Sequence, residues 1–192
     1  MSRRPKWVWY VALFFACIPM FAQQTAEIPP THGTTLAGTE VRLPEAFKTK
    51  ITILVVGFSH ASQEQIANWG RLISADYGKS QEVDYFELAM LAKAPKLLRG
   101  MILKRLQSTV RFDERPHFIP VLEDESGWRT AAHYDKPDDA YILLVDRKGT
   151  VLWQTDGEPT NALYARFKAE LTQVLEAQSD RSPGAPSSAP PH

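Results

Sequence analysis

The 192-residue sequence predicts an α/β fold, a mixed β-sheet with helices on both faces. Three observations carry that prediction. Ile51 to Val56 and Tyr141 to Val145 are continuously apolar runs rich in β-branched residues, the pattern of strands buried on both sides. A helical periodicity and then a second strand-forming stretch follow the first run, the β-α-β order of parallel strands joined by right-handed crossovers. A tight turn follows the second run at once, so the last strand pair is antiparallel.

The elements read as follows. Leu36 to Pro44 (LAGTEVRLP) places a glycine-centred turn between two short alternating segments and predicts a small hairpin. Ile51 to Val56, ending on Gly57-Phe58, is the central strand. Ser62 with Gln65 three residues later has the form of a capping box. Behind it Ile66, Trp69, Leu72, Ile73 and Tyr77 recur at helical spacing until Gly78. Val83 to Leu88 is rich in strand formers but alternates less cleanly. Pro95 opens a second helix with Leu97, Leu98, Met101, Ile102 and Leu106 on one side. Arg111 to Asp139 is irregular; Phe118 to Leu122 is a short edge strand at most, because Pro120 excludes a central place. After Tyr141 to Val145, Asp146-Arg147-Lys148-Gly149 makes the tight turn, and Thr150 to Trp153 returns. Leu163, Tyr164, Phe167, Leu171, Val174 and Leu175 mark the last amphipathic helix.

The ends set compartment and boundaries. Arg3, Arg4 and Lys6 precede an uncharged stretch, Trp7 to Ile18, and Ala22 offers a small residue before Gln23. This pattern reads as a secretory signal over residues 1–22, since a spanning helix needs roughly 20 apolar residues. The alternative is an uncleaved anchor. Cys17, the only cysteine, lies inside the segment, either as a residue lost on cleavage or as a lipid-bearing cysteine. The expected location is therefore outside the cytoplasm, periplasmic or membrane-associated through an uncleaved signal or lipidated Cys17. Residues 23–35 are expected as a linker, 36–177 as one domain, and 178–192 as a disordered Pro/Ser-rich tail.

In the mature domain no thiol remains, which excludes intramolecular disulfides, thiolate metal sites and C-x-x-C redox chemistry. Removing residues 1–22 takes Arg3, Arg4 and Lys6 from the 22 basic residues and none of the 22 acidic ones, so the net charge becomes −3. That balance gives no electrostatic footprint for nucleic acid.

Two stretches resemble known families. TTLAGTEVRLPEAFKTKITILVVGFS is similar to the opening of secreted thiol-disulfide reductases and peroxiredoxin relatives. The shared features are a hairpin, a Leu-Pro before a short linker, a buried strand, then Phe and a loop into a helix. That resemblance implies a thioredoxin-like fold. Where those families carry reactive cysteines, this chain reads Ser62-Gln63-Glu64-Gln65, and Asp139-Ala140 stand where a proline precedes the later strand. The second half resembles the thioredoxin-like assembly factor family of the mitochondrial ATP synthase membrane sector. Tyr141, Leu144, Val145, Asp146, Gly149, Val151, Trp153 and Gly157 carry the likeness. It implies a non-enzymatic helper of membrane-complex assembly, without a cofactor, acting by binding a protein partner.

Candidate site residues follow. In the degenerate redox loop Ser62 is read as a helix cap with Gln65, and with His60 as the nucleophile and base of a non-thiol enzyme in the alternative reading. His60, His117 and His133 show no local ligand spacing, and no metal site is expected. Lys93, Lys96, Arg99, Lys104, Arg105, Arg111 and Arg115 face only Asp113 and Glu114 in their window. Of these, Lys96, Arg99, Lys104 and Arg105 are either a solvated helix face or a docking surface for an acidic partner or anionic headgroups. Trp69 is read as core, and Trp128, beside Gly127 in a polar stretch, as a partner contact.

Overall fold

The structure, a computed structural model, describes residues 26–180. The signal segment with Cys17, and residues 181–192 of the tail, lie outside the described residues. Along the chain stand β1 (Thr31–Thr34), β2 (Glu40–Leu43), β3 (Ile51–Gly57), α1 (Gln63–Tyr77), β4 (Val83–Met90) and α2 (Lys96–Thr109). A 3-10 turn at Arg115–His117 leads into β5 (Phe118–Val121), α3 (Glu125–Ala131), β6 (Ala140–Val145), β7 (Val151–Asp156) and α4 (Asn161–Asp180). The main sheet has the order β5-β4-β3-β6-β7, and β1-β2 form a separate antiparallel ribbon.

The order follows from chain chemistry. β3, buried at every position, sits in the middle, parallel to β4 and antiparallel to β6. β3, β4 and β5 step in one direction, so right-handed crossovers put α1 and α2 on the same face. β5 occupies the edge, which its internal Pro120 tolerates. The β6–β7 turn works as the sequence indicates: Gly149 has φ +85°, and Asp146 Oδ1 accepts from the Lys148 and Thr150 amides at 2.8 and 2.9 Å.

Alternation along the strands divides the core. Ile51, Ile53, Val55, Val83, Tyr85, Ile142 and Leu144 face α1 and α4, where Ile66, Trp69, Ile73, Phe167 and Leu171 cover them. Leu54, Val56, Phe86, Leu88, Leu143 and Val145 face the other way, beneath Leu43, Phe47, Trp128 and Ala132. The second face is thus covered by the ribbon and α3. Helices lie on both faces, as expected.

Four expectations need correction. The segment 23–35, expected as a linker, contributes from Ala26 onward. β1 pairs with β2, Ile28 is buried, its amide donates to Gly149 O at 2.9 Å, and Val151 N donates to Ala26 O at 2.7 Å. A polar sequence is ordered here because edge backbone groups of the β6–β7 turn need partners. α4 continues to Asp180, and Ser179 Oγ donates to Leu175 O, so the tail begins later than residue 178. The irregular stretch contains α3, capped by Asp124, whose Oδ1 accepts from Gly127 N at 3.2 Å. Finally, α2 buries only Leu106, while Leu97 is 97 %, Met101 65 % and Leu98 45 % exposed. At 100° per residue, Leu97 to Leu106 spread over half the helix circumference. The sheet edge covers only the Ile102–Leu106 margin of that stripe.

Candidate functional site

Two neighbouring features concentrate the chemistry, the β3–α1 turn and the groove between α1 and α2. At the turn, Ser62 ends an αR-shaped loop (φ −71°, ψ −8°) and makes no side-chain bond to the helix amides. Its hydroxyl, fully buried, donates to Ser59 O at 2.9 Å, while Ser62 N donates to Ser59 Oγ at 3.2 Å. The expected capping box is therefore not formed. An N-cap in the αR region points its hydroxyl back into the turn instead of over the first helical amides. Gln65 has a different partner: its Oε1 accepts from Ala140 N at 2.9 Å, tying α1 to the start of β6. Ser59 Oγ donates to Asp138 Oδ1 at 3.1 Å and closes the same gap.

His60 is exposed on this turn. Among the described residues no imidazole or carboxylate bonds to Ser62 Oγ, whose partners are all within the Ser59–Ser62 turn. The other two histidines are elsewhere. His117 stacks on Tyr85 with Nδ1 at 3.0 Å from Tyr85 O, and His133 follows α3 beside Gln154. Among the described residues no three His, Cys, Asp or Glu side chains gather to hold a metal ion.

Trp128 is corrected outright. It is fully buried, and its Nε1 donates to Thr31 Oγ1 at 2.9 Å, linking α3 to the ribbon. Its exposed polar neighbours Glu123, Asp124 and Ser126 hid its inward orientation. Trp69 is core as expected, with Nε1 donating to Gly157 O at 2.8 Å.

Of the four basic candidates on α2, Lys96, Lys104 and Arg105 are exposed. Arg99 is half-buried: its guanidinium donates to Ala92 O at 2.8 Å and Ala94 O at 3.1 Å, fastening the loop that enters the helix. It is a structural clamp rather than a free docking charge. Lys93 reaches Glu125 at 3.3 Å, and Arg111 pairs with Asp113. Lys96, Lys104 and Arg105 enter no ion pair among the described residues.

Between α1 and α2 lies a cavity of about 540 Å³, walled by Ile66, Ala67, Met101, Ile102, Leu106, Val110 and Phe118. His60 and Arg105 stand in its lining with Glu64 and Glu114, and Glu87 of β4 forms part of it. Glu87 is 4 % exposed. Among the described residues its carboxyl has no hydrogen-bond partner and no ion pair. Burial, and then the charge of Glu114, push it up to about 8. Its carboxyl fills the space beside Gly70, where a Cβ would stand 2.1 Å from Oε1. The sequence reading passed over Glu87 and named Glu114 only as a counter-charge to the neighbouring cations. The available signal was the broken alternation of β4, a glutamate between Tyr85 and Ala89 on the inward-facing positions.

Comparison with known proteins agrees with this architecture. A family model described as ATP10 protein (ATP-synt_10) matches residues 12–165. No curated protein sequence matches the chain. Among solved structures, an uncharacterized conserved protein from Geobacillus kaustophilus aligns with TM-score 0.55 and 17 % identity, over 80 % of this chain and 82 % of that one. BsSco, a member of the Sco family of cytochrome c oxidase assembly proteins, gives TM-score 0.53 and 16 % identity, over 80 % and 95 %. A structure described as a thiol:disulfide interchange protein DsbE, from Chlorobium tepidum, gives 0.52 and 15 %, over 79 % and 96 %. At such identities the likeness establishes the fold, which is thioredoxin-like.

Proposed function

The chain belongs to the ATP10 protein family, and from that premise we propose that it is a non-enzymatic, exported assembly factor that binds a polypeptide partner. Its task on this reading is to assist the assembly of a membrane complex, with ATP synthase the first complex to test. The observation that carries the reading is the outer face of α2. Leu97, Leu98 and Met101 stand in solvent next to the unpaired Lys104 and Arg105. Large apolar side chains flanked by cations, on a helix that buries little else, form a contact surface. The β3–α1 turn supports the non-enzymatic part, since it holds no thiol and keeps Ser62 Oγ on a backbone carbonyl. Export rests on the basic and apolar start of the sequence. Among the described residues no helix is long and apolar enough to cross a membrane.

The test is genetic complementation read on native gels of host membranes. A deletion strain is expected to lose assembled complex, and the wild-type gene to restore it. The variant Leu97→Ser, Leu98→Ser, Met101→Ser is expected to fold normally and fail to restore. Unchanged assembly in the deletion strain, or full rescue by the triple variant, overturns the proposal.

A further inference from the structure

The groove between α1 and α2 has a property that the outer face of α2 lacks, an acidic floor under apolar walls. Glu87 is carried on β4 at the bottom, nine-tenths buried and aimed into the cavity, with no partner among the described residues. Glu114 lines the same space, its nearest cation being Arg111 Nε at 3.9 Å, and Glu64 lines it from α1. Arg105 is part of the lining but makes no ion pair there, and His60 stands on the β3–α1 side. Gly70 in the middle of α1 leaves the room that the Glu87 carboxyl occupies. A glycine inside a helix costs roughly 0.5–1 kcal/mol against alanine, so this position keeps space for the acid at the expense of the helix.

A buried carboxyl without a donor is unfavourable in either protonation state, and a cation brought within about 4–6 Å relieves it. The walls supply the rest of the specificity. Ile66, Met101, Ile102 and Leu106 are suited to an aliphatic stem, and the volume exceeds that of a single side chain. Leu98 lies one turn before Ile102 on the same edge of α2, so exposed apolar surface continues from the cavity along the helix.

We propose that this groove is a binding site for a lysine or arginine side chain of an apolar polypeptide segment, its cationic head seated on Glu87 and Glu114 and its stem between α1 and α2. This rests on the polypeptide-binding reading above and names the partner's chemistry. The groove and the outer face of α2 share a rim at Met101 and Arg105: Lys96 and Lys104 stand outside the groove, while its floor receives a cation. Binding carries a pH signature. The groups facing Glu87 are Glu64 and His60 from the α1 side, Arg105 from α2 and Glu114 from the loop before β5. Seating a cation stabilises the ionised Glu87, so the complex takes up a ligand and releases a proton where the free protein holds one. Affinity therefore rises as pH increases from about 6.5 toward 8.5.

The experiment is methyl NMR on the chain without residues 1–22, following Ile66, Met101 and Ile102. Four probes are titrated: a blocked nonapeptide of alternating leucine and alanine with a central lysine, the same peptide with central glutamine, the same with central glutamate, and n-butylammonium. The lysine peptide is expected to move all three methyls and to bind at least tenfold tighter than the glutamine and glutamate peptides. That preference is expected to disappear in Glu87→Gln, a variant that is neutral, isosteric and compatible with the fold, while Glu87→Asp keeps part of it. Equal affinity for the lysine and glutamine peptides, or an undiminished preference in Glu87→Gln, overturns the proposal. Butylammonium binding as tightly as the lysine peptide overturns its polypeptide part. If the peptides fail while Leu97→Ser, Leu98→Ser, Met101→Ser still blocks assembly, the groove proposal falls and the assembly reading stands.

Discussion

Glu87 makes the protein's stability depend on pH in a way that one substitution reads out. In the unfolded chain its carboxyl titrates near the ordinary 4.5, and in the folded chain near 8. Between those values the folded state holds a proton that the unfolded state has lost. Stability then falls with rising pH by about 1.4 kcal/mol per unit. The contribution is fully present below pH 4.5, declines through the window, and is gone above pH 8. Over the whole window the loss is on the order of 5 kcal/mol, a large share of the 5–15 kcal/mol that holds a domain together. Glu87→Gln keeps the shape and cannot ionise. Urea denaturation of both proteins from pH 5 to 8.5 is the assay. All other ionisable groups are common to the two proteins, so the difference curve isolates Glu87. The two are expected to be within about 1 kcal/mol at pH 5, with the variant ahead by several kcal/mol at pH 8.5. Parallel profiles would refute the reasoning, because they would mean that the carboxyl is solvated in the folded state.

Two further outcomes test the supports of the site. Trp128→Phe and Thr31→Val should each destabilise the fold by about 1–3 kcal/mol, and the double variant by less than their sum, because both single changes break the same buried hydrogen bond; urea denaturation of all four proteins measures this. Tyr141→Phe removes the phenol that accepts from the amides of Asp135 and Lys136 at 3.0 and 2.8 Å. It should cost about 1–3 kcal/mol and speed hydrogen exchange at those two amides.

The fold was legible wherever one element's own pattern determines its environment. Ile51 to Val56 has no polar residue except Thr52 and was read as central, and Asp146 with Gly149 writes its turn into four residues. The unread parts depend on partners distant in sequence. β1 is polar, and its strand is specified by β2 and β5 rather than by its own residues. Trp128 looks like a surface aromatic until its hydrogen bond to Thr31, 97 positions away, is known. Ser62 and Gln65 have the spacing of a capping box, yet Gln65 is claimed by Ala140, a competitor that no local motif reveals.

The site was half legible for a related reason. Sequence alone shows that thiols are gone from the β3–α1 turn, and charge counting shows the excess of cations on α2. Neither indicates that α1 and α2 stand apart over β4, so the acid between them passes as one of 22 ordinary carboxylates. Burial gives Glu87 its meaning. A carboxyl pushed toward 8 beside a second carboxylate weakens the fold at neutral pH, and Gly70 gives up helix stability to accommodate it. Nothing within the described part of the chain offsets either cost, since Arg105 lies close enough to line the cavity yet forms no pair there. On the proposal above, a bound cation supplies the stabilising charge, and the same groove that leaves Glu87 without a partner is the route by which it arrives.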